Sequence, residues 1–229
     1  MATVYAGNSG YVYRYAAGTW STIRNNSTGN ASSDTAYFSL TAARVFHTAG
    51  RGSDLFQIVR SFFYFDTSGI TGTLSDATLK IYGLTNGTAD IIAVKSDAMG
   101  GDGGTALALT DYNNLDFSTA YSAELATWST SGYNDITLNA TALADMKNND
   151  ALIVCVIEYD HDYLDSAPSG TGNSTGMYYD ANKYTVADPY IDYTVAASGY
   201  GNAVNGVAAA SIGKVDGVAT ANIEKVIGV

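Results

Sequence analysis

The chain has 229 residues, with 22 acidic side chains against 11 basic ones and a formal net charge of −11. That balance argues against nucleic acid, whose binding depends on neutralising phosphates with Lys and Arg, and equally against anionic membrane surfaces. Its plain meaning is an acidic, soluble exterior that resists self-association. The length suits one sizeable domain with an appendage. Gly, Ser, Thr, Asn and Tyr abound, Pro occurs only at Pro168 and Pro189, and long periodic apolar helices are missing. Many short strands joined by small-residue turns are the expected class.

The N-terminus, from Met1 to Asn8, carries no basic region and no apolar run, so no secretory signal is expected. No stretch is long enough to span a bilayer. Residues Gly10 to Ala16 read as a strand with Tyr11, Tyr13 and Tyr15 on one face and Val12 and Arg14 on the other. A sandwich face packed by aromatics is the favoured reading. The functional alternative is a platform for stacking sugar rings, since tyrosine has an apolar body and a polar tip. Residues Thr22 to Thr35 read as loop. A strand from Thr35 to Phe46 follows, alternating through Tyr37, Ser39 and Thr41. The polar link from His47 to Asp54 comes next, with His47 solvated.

Ile58 to Phe65 is apolar or aromatic on both alternating faces apart from Arg60 and Ser61, which predicts a strand buried on both sides. Phe63 and Phe65 flank Tyr64, and at least one of them should be fully buried. Thr67 to Thr73 supplies a turn. In the following strand Ala77, Leu79 and Ile81 point one way and Thr78, Lys80 and Tyr82 the other, the pattern of a half-buried strand.

Asp90 to Lys95 is another short strand. Ser96 to Gly104 follows as a flexible loop in which Asp97 and Asp102 are candidate calcium ligands, since calcium takes oxygen ligands on irregular loops. The spacing is not that of an EF-hand, and no Gly-Lys-Ser/Thr follows to make a phosphate loop. Ile136 and Leu138 form a strand ending at Asn139, which caps a helix from Ala140 to Lys147 with Leu143 and Met146 turned inward.

The buried strand 151–159 contains Cys155, a lone thiol that excludes an internal disulfide and reads as a small core filler. After it, Glu158 to Asp165 surrounds His161 with carboxylates. Asp160 and Asp162 are further calcium candidates there, against the plainer reading of a strand end fraying into an acidic loop that runs to Thr175. Met177 to Asp180 and Pro189 to Val195 close the domain. Glu124 and Glu158 are its only glutamates, and no Ser-His-Asp or nucleophile-elbow pattern accompanies them. Neither catalytic residues nor a cofactor are expected.

At Ser198 the character changes. Val204 to Lys214 repeats as Val215 to Lys225, and Val226 to Val229 begins a third copy, so the period is eleven residues. Val-Asn-Gly-Val and Val-Asp-Gly-Val are hairpin-turn signals. Gly206 and Gly217 weigh against a helical repeat. Val204, Val207, Ile212, Val215, Val218, Ile223 and Val226 offer apolar contacts but too little bulk for a private core. An assembly segment docked on a partner surface is the expectation.

Three motifs also carry a resemblance. "RSFFYFDTSGI" followed by "SDATLKIYG", then "TWSTSGYNDITLNATALADM", then "ADPYIDYTV", resemble in order the DNRLRE-type β-sandwich domains related to carbohydrate-binding modules. The likeness covers most of residues 4–196 and extends to structural proteins of tailed bacteriophages. The tail repeat likewise resembles C-terminal tails of phage particle proteins. Pattern and resemblance together predict an all-β, jelly-roll-like antiparallel sandwich over residues 1–197, with one short helix, and a repetitive tail over residues 198–229.

The implied role is a non-enzymatic virion protein made in the host cytoplasm and carried on the particle exterior. It would be a capsid decoration, a head fibre or a tail-fibre component, oligomeric and in contact with other virion proteins. The alternatives are a carbohydrate-binding module or adhesin reading host surface glycans, and an extracellular filament subunit assembled by strand donation. An enzyme ranks third, testable by saccharide release.

Overall fold

The computed structural model describes residues 1–33, 42–169, 174–177, 188–196, 214–215 and 218–219. In chain order these form β1 (Ala2–Ala17), α1 (Trp20–Arg24), β2 (Ala31–Ser33), β3 (Ala42–Thr48), β4 (Leu55–Asp66), β5 (Leu74–Gly87), β6 (Ile91–Ser96), β7 (Leu115–Ala120), β8 (Tyr133–Thr137), α2 (Ala140–Asn148), β9 (Ala151–Glu158), β10 (Ser174–Met177) and β11 (Tyr190–Val195). Strands β1 to β11 pair antiparallel in one curled sheet that folds over into a sandwich. The fold is all-β, as the sequence predicts.

One layer runs β1–β11–β5–β8. The other is organised on β4, which pairs with β1 along one edge and with β3 and then β9 along the opposite edge. Beyond β9 lie β6 and β7. Strand β1 serves both layers. Ala2–Tyr5 pairs with β11, and the pairing with β4 from Ala6 onward steps over Gly7 in a bulge between Ala6 and Asn8. An unpaired residue bends and twists a strand, and here the bend lets one strand turn the corner between layers.

Two cores result. The inner one lies between the layers and holds Phe63, Phe65, Leu79, Ile81, Val154 and Ile191, all fully buried. Fully burying each such side chain is worth about 1.5–3 kcal/mol. The second lies on the outer face of β4 and β9, where Ile58, Phe62, Ile153 and Cys155 are covered by Trp20 and Ile23 of α1, with Met99 and Tyr112. This is why β4 and β9 are apolar on both faces. Ala77, Leu79 and Ile81 are buried while Thr78, Lys80 and Tyr82 are half-exposed, so β5 alternates as expected.

Helix α2 starts where its cap predicts. Asn139 Oδ1 accepts from the amides of Thr141 and Ala142 at 3.0 and 3.1 Å, and Met146 is fully buried with Leu143 packed against the inner core. Four expectations need correction. Residues 20–24, largely read as loop, make the five-residue α1, too short for a periodic signal but fixed by Trp20 and Ile23 facing the outer core. Asn30 is followed by the short β2, paired to β1. Ser96–Gly104 is anchored, with Ser96, Ala98 and Met99 buried. His47 is not solvated: it is 6% exposed, stacked on Phe56 with centroids 4.9 Å apart. Its Nε2 lies 3.1 Å from Asp54 Oδ2, an ion-pair contact out of line for a hydrogen bond. The expected strand from Thr35 is described only from Ala42 as β3, and that from Met177 only up to Met177 as the end of β10. The remainders, 35–41 and 178–180, lie outside the described residues.

Candidate functional site

The acidic stretch after β9 is where the structure departs furthest from the sequence reading. Residues Tyr159–Tyr163 form a π-helical turn rather than a frayed end. Glu158 caps it, its Oε2 accepting from the amides of His161 and Asp162 at 2.8 and 3.0 Å. The turn carries Asp162, fully buried, to the underside of β4. There Arg60 Nε and Nη2 donate to Asp162 Oδ2 and Oδ1 at 2.8 and 2.7 Å, a bidentate pair.

The remaining Arg60 contacts tie in two more segments. Nη1 donates to the Tyr112 carbonyl at 2.6 Å and Nη2 to the Arg24 carbonyl at 2.9 Å, while the guanidinium lies 4.2 Å from the Tyr112 ring centroid. Arg24 Nε in turn donates to the Asp162 carbonyl at 2.7 Å, and its guanidinium sits 4.0 Å from the Phe117 ring centroid. Burial alone would pull the Arg60 pKa down, but the Asp162 charge and Tyr112 outweigh it and hold it above its ordinary value. The pair is a cross-tie that pins α1, the turn at Tyr112 and the π-helical turn onto one strand. With both side chains shut off from solvent, no ligand atom reaches it. Asp162 is therefore not a calcium ligand. Asp160, its neighbour, remains half-buried on the turn.

The other calcium candidates lie apart from this node. Asp97 and Asp102 line one polar cleft of about 500 Å³ together with Lys95, Tyr121, Asn148 and Asp150. Asp102 Oδ1 accepts from the Gly104 amide at 2.8 Å, and Asp97 is exposed. Beside the cleft, Asp145 Oδ2 accepts from Tyr121 Oη at 2.6 Å and from Lys95 Nζ at 2.9 Å, so that carboxylate is committed to the fold. Among the described residues, no three His, Cys, Asp or Glu side chains are grouped to hold a metal.

The remaining chemistry is structural in placement. Burial pushes the Cys155 thiol well above its ordinary pKa, the opposite of an activated nucleophile. Glu158 is buried and holds backbone amides, while Glu124 is exposed.

The N-terminal tyrosines split. Tyr11 is 8% exposed and belongs to the inner core, with Tyr13 stacked on it at 6.3 Å and half-buried; only Tyr15 is open to solvent. Tyr11 and Tyr13 pack the sandwich, so the three do not present one open face. An open tyrosine row exists instead on the outer face of the β1–β11–β5–β8 layer. Tyr5, Tyr190, Tyr133 and Tyr82 follow one another with centroids 5.6, 5.1 and 5.3 Å apart. The strand register brings them together, since Tyr5 pairs with Tyr190 and Tyr82 with Tyr133. Each of the four strands contributes a single ring to the row, so no local pattern announces it. Only the register does.

No protein-family model matches the chain, and no curated protein matches it significantly.

In the tail, Lys214–Val215 (β12) pairs antiparallel with Val218–Ala219 (β13), a pairing in keeping with the Val-Asp-Gly-Val signal. Val204, Val207, Ile212, Ile223 and Val226 lie outside the described residues.

Proposed function

We propose that this chain is a non-enzymatic structural protein of a tailed-phage particle, a capsid decoration, head fibre or tail-fibre component, and that its repeat tail is the segment that joins it to sister copies or to other virion proteins. The observation that carries this reading is the antiparallel β12–β13 pair inside an eleven-residue repeat. A ladder with two residues per strand is far below what stands alone in water. A repeat that carries valines and an isoleucine at equivalent positions gains stability by stacking against neighbours or on a partner surface. The resemblance of the sandwich motifs and of the tail to phage particle proteins supplies the biological setting, since a sandwich by itself implies no function.

The test is to purify the particle from lysates of a producing host and measure the copy number and position of this chain by quantitative mass spectrometry and antibody labelling. The expected result is a fixed, symmetric stoichiometry on the exterior. Its absence from particles, or recovery as a secreted filament, overturns the proposal.

A further inference from the structure

We propose that the tyrosine row on the outer face of the β1–β11–β5–β8 layer binds a neutral oligosaccharide chain. The row is open: Tyr5 is 59% exposed, and Tyr190, Tyr133 and Tyr82 are half-exposed. It is also stiff. Neighbouring rings meet at 48°, 69° and 81°, tilted or edge-to-face, so each holds the next in place. Two hydroxyls are anchored to backbone carbonyls, Tyr133 Oη to Asp188 at 3.1 Å and Tyr82 Oη to Ser131 at 2.8 Å. Rings fixed before binding lose little rotamer freedom when a ligand settles on them.

Charge narrows the ligand class. Among the described residues the cation on this face is Lys80, and its Nζ is already bonded to Asp135 at 2.7 Å. Asp192 adds a second carboxylate, held by the Thr3 hydroxyl at 2.6 Å. Asp135 and Asp192 beside one neutralised lysine, on a chain of net charge −11, repel sulfated, sialylated or phosphorylated ligands. A compact organic cation is recognised by rings that enclose it, whereas these rings lie in an open row across neighbouring strands.

The fitting ligand is extended and uncharged, with apolar C–H faces to lie on the rings and hydroxyls to bond at their edges. A chain of pyranose rings has both. Burial and the neighbouring Tyr190 push the Tyr133 pKa up to about 12, and Tyr190 is likewise raised by burial and Asp192. These two hydroxyls therefore stay neutral across the physiological range. Sugar binding on this face would hold whether or not the chain sits on a particle.

The experiment takes the full-length chain and measures affinity by calorimetry for neutral hexasaccharides of β-1,4-glucose, α-1,4-glucose, β-1,4-mannose, β-1,4-galactose and β-1,4-N-acetylglucosamine, with heparin as the anionic control. Saturable binding to at least one neutral probe and none to heparin is expected. Tyr5→Ala, on a side chain exposed enough to leave folding intact, should weaken that binding about tenfold, and Tyr190→Ala by at least as much. Tyr15→Ala, on the opposite layer, should leave it unchanged. Binding to none of the neutral probes, or equal binding by Tyr5→Ala and the unaltered chain, overturns the proposal. So does a drop in oligomeric state on Tyr5→Ala in sedimentation, because the face is then an interface between copies.

Discussion

The two faces of β4 solve the same burial problem in opposite ways. On the inner face Phe63 and Phe65 lie in one core with apolar side chains of the neighbouring β9 and, across the sandwich, of β5 and β11. The outer face has Ile58 and Phe62 but places Arg60 between them, and meets a carboxylate that lies 102 residues further along the chain. An inner position needs only the right volume, and many apolar residues satisfy that within a modest cost. The outer position needs one partner in one geometry, because a buried guanidinium without its carboxylate is costly. The inner face thus gives the sandwich its stability. The outer face fixes where α1, the Tyr112 turn and the π-helical turn come to rest.

The largest effect should come from breaking the outer tie. Asp162→Ala leaves Arg60 buried without its counter-charge, and Arg24 beside it, which costs about 3–5 kcal/mol. For a domain of this size the thermal midpoint then falls on the order of 10 °C. The double change Arg60→Met with Asp162→Leu should recover most of that loss, since a buried pair replaced by apolar volume is often neutral or better. If the double change is as unstable as Asp162→Ala alone, the difference between the two faces is not one of charge.

On the inner face Phe63→Ala and Phe65→Ala should each cost about 3–5 kcal/mol through lost burial and the cavity left behind. Here no companion substitution of opposite charge is involved, and the loss relative to the unaltered chain should not vary with salt or pH. Chemical denaturation of each variant at two ionic strengths checks this. Loss of stability that varies with salt would erase the contrast with the outer face.

What could be read from the sequence divides along the same line. Alternation at Ala77, Leu79 and Ile81, the two-sided run from Ile58 to Phe65 and the cap at Asn139 are local signals. Each states its own environment, and the strands and α2 follow from them. Arg60 inside an apolar run was visible as an exception, but its partner was hidden in an acidic stretch where any of several aspartates fitted equally well. His47 looked like a surface residue for a similar reason, because its burial is decided by Phe56. The outer tyrosine row escaped entirely. Its members are set by strand register, which no single strand encodes.

A subtler effect belongs to Glu158, which holds the π-helical turn from below. Burial raises its pKa above the ordinary 4.5, against the smaller opposing pull of the two amides it accepts from. In the unfolded chain the carboxyl loses its proton near the ordinary value, whereas the folded protein retains it to higher pH. Between those two points the folded state binds more protons, so stability contributed by this group is present at low pH and declines as pH rises toward the folded value. Glu158→Gln, which keeps an oxygen for the amides of His161 and Asp162, should flatten that decline. Denaturation midpoints across mildly acidic to neutral pH give the slope directly. An unchanged slope in the variant would mean that another group sets it.

The smallest effect on stability is expected from removing the tail, and it bears on whether two cores are all that the domain needs. The described sandwich closes at β11, where Val195 pairs with Leu74 and the Ala196 amide donates to the Thr73 carbonyl at 2.7 Å. By that point β11 has delivered Ile191 to the inner core. Beyond Tyr200 no aromatic residue remains, and the valines and isoleucines of a short repeat add little bulk to either core. A chain ending at Ala197 should therefore melt within a few degrees of the full-length protein, since a change of about 1 kcal/mol moves the midpoint of a domain this size by only 2–4 °C. Sedimentation should at the same time show the shortened chain as a monomer under conditions where the full chain associates. A shortened chain that melts far lower would place tail residues in a core, and one that still associates would move the assembly surface onto the sandwich itself.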